Sequence, residues 1–388
     1  MKKFASSTLI LASVASLHAS DGFTITVDIP GLKAGSKVEL VSRESGRYGT
    51  LAETVATDGA FTLSGEVPSP TISELRIERP DSASIGKGIS MMVENVPMTV
   101  TAAHIDSVPP SFYFGSKELK REKNVTVTGG QAQKEYAEYT AAMLPTNIAT
   151  RDAHYALYHA ENRDKTPEGQ KKLKAAYAEA GLAEDAARRD FVAAHPTYSI
   201  SGSLMLNDLS TPFTYTGAEL DALAESVKGM SDTARLAQVN AAIAKSRERL
   251  RESPFTDFAT LDPRGTERRL SEFAADGKKY VMIDFWASWC GPCRAAIPHV
   301  RELYKKYGDR VEFIAVSLDS TDEAWRQAME QEKMEWTQLW ADKSRVDAVT
   351  TPYQIRSIPF IMLLDPQGRI VHAGHNPEAV TAILENSL

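Results

Sequence analysis

The sequence predicts a multidomain chain: an antiparallel β-sandwich first, a helical segment in the middle, and an α/β domain last. Its 388 residues exceed the roughly 150 of one typical domain, so two or three domains are expected. The pattern also changes along the chain: short β-rich runs punctuated by turn residues in the first third, apolar or small residues at spacings of three to four in the second, and apolar runs alternating with helical stretches in the last. With 43% apolar and 24% charged residues, the composition excludes disordered, collagen-like and multispan membrane classes. A net charge of −7 disfavours a nucleic-acid or anionic-lipid surface, so no nucleic-acid partner is expected.

Residues 1–20 have the make-up of a secretory leader. Lys2 and Lys3 form a basic start, residues 9–17 are mostly apolar, and small residues surround Ala19 and Ser20, where cleavage is expected. Losing the two lysines makes the remainder still more acidic. The apolar run falls short of the roughly 20 residues a membrane span needs. No cysteine near the junction offers a thioether anchor, so an exported protein without stable membrane insertion is expected.

Residues 21–129 read as the sandwich. Strands are expected at 23–29, 37–42, 60–66, 74–78, 98–102 and 124–128, with Gly31, Gly35, Gly46, Gly59 and the prolines at 68 and 70 punctuating the turns. Segments 81–88 and 107–111 read as loops. Residues 130–252 read as four or five helices, including 170–194 and 233–250, entered at Gly129-Gly130 and separated by Pro145, Pro167, Pro196 and Pro212. His154 and His159 have no carboxylate or Cys partner at ligand spacing, and Arg247, Arg249 and Arg251 read as a solvated stretch.

Residues 253–388 read as the α/β domain. A short strand at 258–261 and a helix at 269–275 precede the apolar strand 280–286 and the helix 292–307. Strand 311–318, helix 322–332, a hairpin of 360–364 with 369–372, and a helix at 378–385 complete it.

The chain has two cysteines, Cys290 and Cys293, and a pair this close closes too small a ring to stabilise by loop entropy. Reactivity explains it better. At a strand-to-helix junction the unpaired N–H groups and the helix dipole favour a thiolate on Cys290, the expected nucleophile, which Cys293 resolves from one helical turn in. Half of a zinc site is the competing reading, but no second pair stands at ligand spacing, so neither metal nor cofactor is expected. Pro292 suits a first helical turn, and Gly291 permits close approach of a substrate backbone. Trp289 is expected to hold substrate and Trp286 to pack. Asp284, on the strand entering the site, is a candidate proton acceptor for the resolving thiol, set against a merely structural acid. Pro359, at the mouth of a strand, is expected to be cis, with the Ile358 backbone beside the cysteines to pair with an extended substrate.

Phe285-Trp-Ala-Ser-Trp-Cys-Gly-Pro-Cys293, with Pro298 five residues on, resembles the thioredoxin superfamily. Residues 255–388, with Ile358-Pro359 and Leu364-Asp-Pro-Gln-Gly-Arg-Ile370, look like its exported TlpA- and ResA-type thiol:disulfide interchange branch. The resemblance implies a thioredoxin-like fold for 253–388. Gly31-Leu-Lys-Ala-Gly-Ser-Lys-Val-Glu-Leu40 and residues 191–209 resemble the sandwich-plus-helices module of Bacteroidetes-type proteins, which implies periplasmic residence but no established activity for the module. Three departures matter. Ala296 stands where many members carry a Glu, so Asp284 is the better candidate acid. The lysine that pairs with that acid in thioredoxin would fall near Ala315, leaving Asp284 uncompensated. Arg356-Ser-Ile-Pro-Phe360 lacks the Gly and Glu of cytochrome-maturation members. His299, after Pro298, is expected to be a surface helix residue.

These readings predict a periplasmic thiol–disulfide oxidoreductase that reduces protein disulfides, because Cys-Gly-Pro-Cys resembles thioredoxin, whose potential is about −270 mV. The resemblance implies a membrane electron-donor protein as a partner. The alternatives are an oxidase or isomerase of secreted proteins, or a partner-binding protein whose thioredoxin-like domain regulates it. Peroxide reduction is disfavoured by the two close cysteines.

Overall fold

The computed structural model describes residues 22–44, 49–57, 60–78, 86–111, 116–159, 164–274, 277–375 and 377–388. The expected leader and its cleavage site lie outside these residues, as do Gly46, Gly59 and most of the loop expected at 81–88. No helix among the described residues is long and apolar enough to cross a membrane. The chain divides into two compact units that part at Ala187/Arg188.

In the first unit, described strands β1 (Phe23–Asp28), β4 (Phe61–Gly65), β7 (Pro97–Ala102) and β8 (Val125–Thr128) form one sheet, in the order β4-β1-β7-β8. A second sheet, β3-β2-β5-β6, joins β2 (Lys37–Ser42), β3 (Thr50–Val55), β5 (Thr71–Glu78) and β6 (Lys87–Val93). Alternation puts Phe23, Ile25 and Val27 of one sheet and Val38 and Leu40 of the other into a shared core. Pairing is antiparallel except between β1 and β7, which run parallel.

A short helix, α1 (Ser116–Leu119), precedes α2 (Gln131–Tyr158) and α3 (Pro167–Ala194). Gly129 and Gly130, both at positive φ, lead into α2, whose Ala132 N–H donates to the Glu94 carboxylate at 2.8 Å. At Gly130 φ is 81°, in the left-handed region that glycine favours, and a Cβ there would displace the Glu94 carboxylate from its cap. Pro145 does not separate helices: α2 runs through it. The residue is exposed, so the carbonyl its missing N–H would have bonded is left to water.

The second unit holds α4 (Ser199–Leu209), α5 (Gly217–Ser226) and α6 (Thr233–Ser246), packed around Met205, Leu220, Val239 and Ile243. Its strands are β9 (Ala259–Leu261), β10 (Glu267–Arg269), β11 (Tyr280–Trp286), β12 (Val311–Ser317), β13 (Thr337–Trp340), β14 (Phe360–Leu364) and β15 (Ile370–Gly374). They form one sheet in the order β10-β9-β13-β12-β11-β14-β15. β11 and β13 run parallel to β12, and β14 antiparallel to β11.

Helices α7 (Gly291–Tyr307), α8 (Asp322–Glu332), α9 (Val346–Thr350) and α10 (Pro377–Ser387) complete the unit. β11 is buried on both faces, as a central strand of an α/β sheet must be. Met282 and Trp286 pack with side chains of α7, α8 and α10. Val281, Ile283 and Phe285 pack on the other face with Phe213, Val349 of α9 and Tyr353.

The helix expected at 269–275 is absent from the described part of that segment. β10 pairs with β9 there, and a single 3-10 turn follows at Leu270–Glu272. The Asp257 carboxylate accepts from the Ser271 N–H and hydroxyl and from Arg269 Nε, satisfying those donors outside a helix.

Candidate active site

β11 delivers the chain to the site and α7 receives it. Cys290 is the N-cap of α7: the Cys293 N–H donates to Cys290 Sγ at 3.2 Å, satisfying one of the orphan donors of the first turn. The two sulfurs are bonded, with Cα atoms 5.3 Å apart. Cys290 is 4% and Cys293 1% exposed, whereas Trp289 is 69% exposed and Gly291 and Pro292 are open to solvent. Pro292 stands in the first turn, where its missing N–H costs nothing. A Cβ on Gly291 would meet nothing within 4 Å, so the fold itself does not require glycine there.

The loop before Cys290 is pinned from β12. The Asp319 carboxylate, 1% exposed, accepts from the Ser288 N–H at 3.0 and 3.2 Å, from the Ser288 hydroxyl at 2.6 Å and from the Ser317 hydroxyl at 2.8 Å. Trp340 Nε1 donates to the Asp319 backbone carbonyl at 2.8 Å. Sequence reasoning missed this clamp; its one local signal is Ser317-x-Asp319 at the exit of an apolar strand.

Asp284 lies on β11 between Met282 and Trp286, and by strand alternation shares their face, the one α7 covers. Its register partners are Ala315 on β12 and Ile361 on β14, both fully buried. Neither offers a charge, and burial alone pushes the Asp284 carboxyl up to about 7.

The Ile358–Pro359 peptide is cis. Ile358 packs at the border of the cluster that contains both cysteines. His375 Nδ1, 2.7 Å from the Pro359 carbonyl oxygen, donates to it, and the His375 ring meets Phe360 edge-on at 5.4 Å. This support also went unnoticed in the sequence. Trp286 is wholly buried. His299 faces α10, its Nε2 3.0 Å from the Thr381 hydroxyl. The structure therefore brings the two cysteines and Ile358 into one cluster and leaves Trp289, Gly291 and Pro292 around it as an exposed lip. Among the described residues no three His, Cys, Asp or Glu side chains converge to hold a metal.

Residues 277–370 match a family model described as thioredoxin-like, and residues 23–136 match a domain of unknown function, DUF4369. The chain is 32% identical over 122 residues to the thioredoxin-like protein YneN of Bacillus subtilis, covering 30% of this chain and 68% of that protein. It is 30% identical over 116 residues to the thiol-disulfide oxidoreductase ResA of Bacillus thuringiensis, covering 30% of this chain and 64% of that relative's length. Among solved structures, the thioredoxin domain of a thiol-disulfide oxidoreductase from Bacteroides vulgatus is 30% identical, with a TM-score of 0.33, covering 35% of this chain and 96% of that chain. A thiol:disulfide interchange protein from a Bacteroides species is 29% identical, with a TM-score of 0.34, covering 36% and 91%.

Proposed function

The chain belongs to the thioredoxin superfamily, in its TlpA- and ResA-like branch, and from that premise we propose that it is a periplasmic thiol–disulfide oxidoreductase that reduces protein disulfides. The observation that carries this reading is the Cys290–Cys293 disulfide closed across the first turn of α7. In the reduced protein the Cys290 thiolate, favoured by the helix N-terminus, attacks one sulfur of the substrate disulfide. That S–S bond breaks, the leaving thiolate takes a proton, and a mixed disulfide with Cys290 remains. The Cys293 thiol then passes its proton to the Asp284 carboxylate and attacks Cys290 Sγ. The Cys290–substrate bond breaks, the second substrate sulfur leaves as a thiolate that takes up a proton from solvent, Asp284 returns its proton to solvent, and the protein disulfide closes. Two electrons and two protons reach the substrate, and the protein is left oxidised.

A carboxyl group near 7 suits this transfer, because at neutral pH it is present in both forms and exchanges a proton readily. Trp289 offers an apolar face to the substrate, Gly291 and Pro292 keep the approach low, and the backbone at Ile358–Pro359 pairs with an extended substrate segment. Location in the periplasm rests on the leader-like residues 1–20. An oxidising compartment then requires a donor that re-reduces the pair, for which a membrane protein passing reducing equivalents across is proposed.

The test is the equilibrium reduction potential of the Cys290/Cys293 pair in glutathione buffers at neutral pH, read by tryptophan fluorescence. A value below about −230 mV supports a reductase; one near −120 mV turns the direction toward oxidation of secreted proteins. A pair that shows no reversible transition overturns the redox reading altogether.

A further inference from the structure

A cleft of about 250 Å³ opens between α4, α6 and the chain just ahead of Ile358. Leu206, Leu209, Lys245, Arg249, Gln354 and Arg356 are among the residues that line it. No acidic residue contributes to its lining. Three other arginines of this helical region are matched to acids: Arg188 to Asp208 at 2.8 Å, Arg247 to Asp221 at 2.6 Å, and Arg251 to Glu219.

The cleft differs from that pattern. Among the described residues, neither the Lys245 nor the Arg356 side chain has an ion pair or hydrogen bond. Arg249 meets only a neutral partner, the Gln354 amide oxygen, which accepts from its two terminal nitrogens at 2.7 and 2.9 Å. In an acidic protein, three cations in one cleft, without a carboxylate among them, leave a local positive field to be met from outside.

Its place in the chain ties the cleft to the disulfide. Ile358 borders both hydrophobic clusters of the sheet, the one holding Cys290 and Cys293 and the one on the opposite face. Arg356 is two residues upstream, at most about 7 Å away along an extended backbone. A substrate strand paired along Ile358 presents every second side chain on one face, so a residue two positions from its reacting cysteine comes level with Arg356.

We propose that this cleft receives an acidic side chain of the substrate protein, placed two residues from the cysteine under attack. The assignment rests on the proposed reductase reading and adds the substrate class, an acidic peptide segment.

The test uses the full chain, reduced with dithiothreitol and freed of it. The probes are extended peptides whose single cysteine is blocked as a neutral 2-thiopyridyl disulfide. They differ only in carrying Glu, Gln or Lys two residues to one side or the other of the cysteine. The expected result, on one of the two sides, is a Glu-to-Gln rate ratio of about three to ten, as for a partly shielded ion pair, with Lys slowest. The ratio should shrink in high salt, fall to about one in Arg356→Gln combined with Lys245→Gln, and invert in favour of Lys in Arg356→Glu. Using the ratio within each protein cancels any general change in reactivity. Equal rates for Glu and Gln peptides, or a Glu preference that survives the double substitution, overturns the cleft assignment and leaves the reductase reading intact. Failure to turn over any probe overturns the reductase reading itself.

Discussion

Replacing Asp284 by Asn tests the central electrostatic claim of the site. The Asp284 carboxyl is raised from an ordinary value of 3.8 to about 7 by burial opposite Ala315 and Ile361. At 1.36 kcal/mol for each pH unit, this gap corresponds to about 4 kcal/mol. Its sign follows from which state holds the proton more tightly, here the native one. Below pH 3.8 both states are protonated and the group contributes nothing. Between 3.8 and about 7 the unfolded chain ionises while the native protein keeps its proton, so stability falls as pH rises. Above about 7 the full cost is present and constant.

Asn carries no charge, so the stability of Asp284→Asn relative to the parent should climb by about 4 kcal/mol between pH 4 and pH 8. Whatever the amide costs sterically is the same at both ends and drops out. The assay is denaturant unfolding of the disulfide form, so that no thiol titrates, followed by fluorescence. All five tryptophans lie between positions 286 and 340, so the signal reports on the α/β domain alone. A difference between the two proteins that stays flat across that pH range would refute the claim that this carboxyl is buried without compensation.

Three further outcomes are expected. Asp319→Ala strips the partner from the Ser288 N–H and from the Ser288 and Ser317 hydroxyls in a buried place, and should lower stability by about 3 kcal/mol in the same unfolding assay; a loss under about 1 kcal/mol would count against the clamp. Trp289→Ala should change stability by no more than about 0.5 kcal/mol, given the exposure of the side chain, while kcat/KM for reduction of insulin falls about tenfold. Cys293→Ser should accumulate a mixed disulfide through Cys290, visible by mass spectrometry as protein plus substrate; its accumulation in Cys290→Ser instead would reverse the two roles.

Several strands escape the eye for identifiable reasons. β3 is a partly exposed run, Thr-Leu-Ala-Glu-Thr-Val, whose acid and alanine blur the alternation. β6 carries Gly88 and two methionines and is buried on both faces, so it has no period to read. β13 is four residues long and includes the buried Gln338. Pro145 misleads in the other direction, because a proline on the exposed side of a long helix removes a hydrogen bond that water replaces. In the segment 269–275, charged and apolar residues spaced like a helix turn out to follow an Asp257-anchored hairpin, a contact set by partners 12 and 14 residues away.

What the sequence by itself determined is local: the cysteine pair and its helix cap, the two-sided burial of β11, and the proline before β14. Each depends on residues within one turn or one strand, where spacing and backbone chemistry leave few options. The tertiary structure alone decided what surrounds those residues. Asp319 reaches Ser288 across 31 positions, His375 reaches Pro359 across 16, and Asp284 stands level with Ala315 only because β11 and β12 pair in that register. A hydrogen bond or a missing counter-charge depends on distances of a few ångströms between strands and loops far apart in the chain. No spacing rule records those distances, so the Asp319 clamp and the His375 support became visible only once the sheet was assembled, whereas the uncompensated Asp284 is already expected from the missing lysine near Ala315.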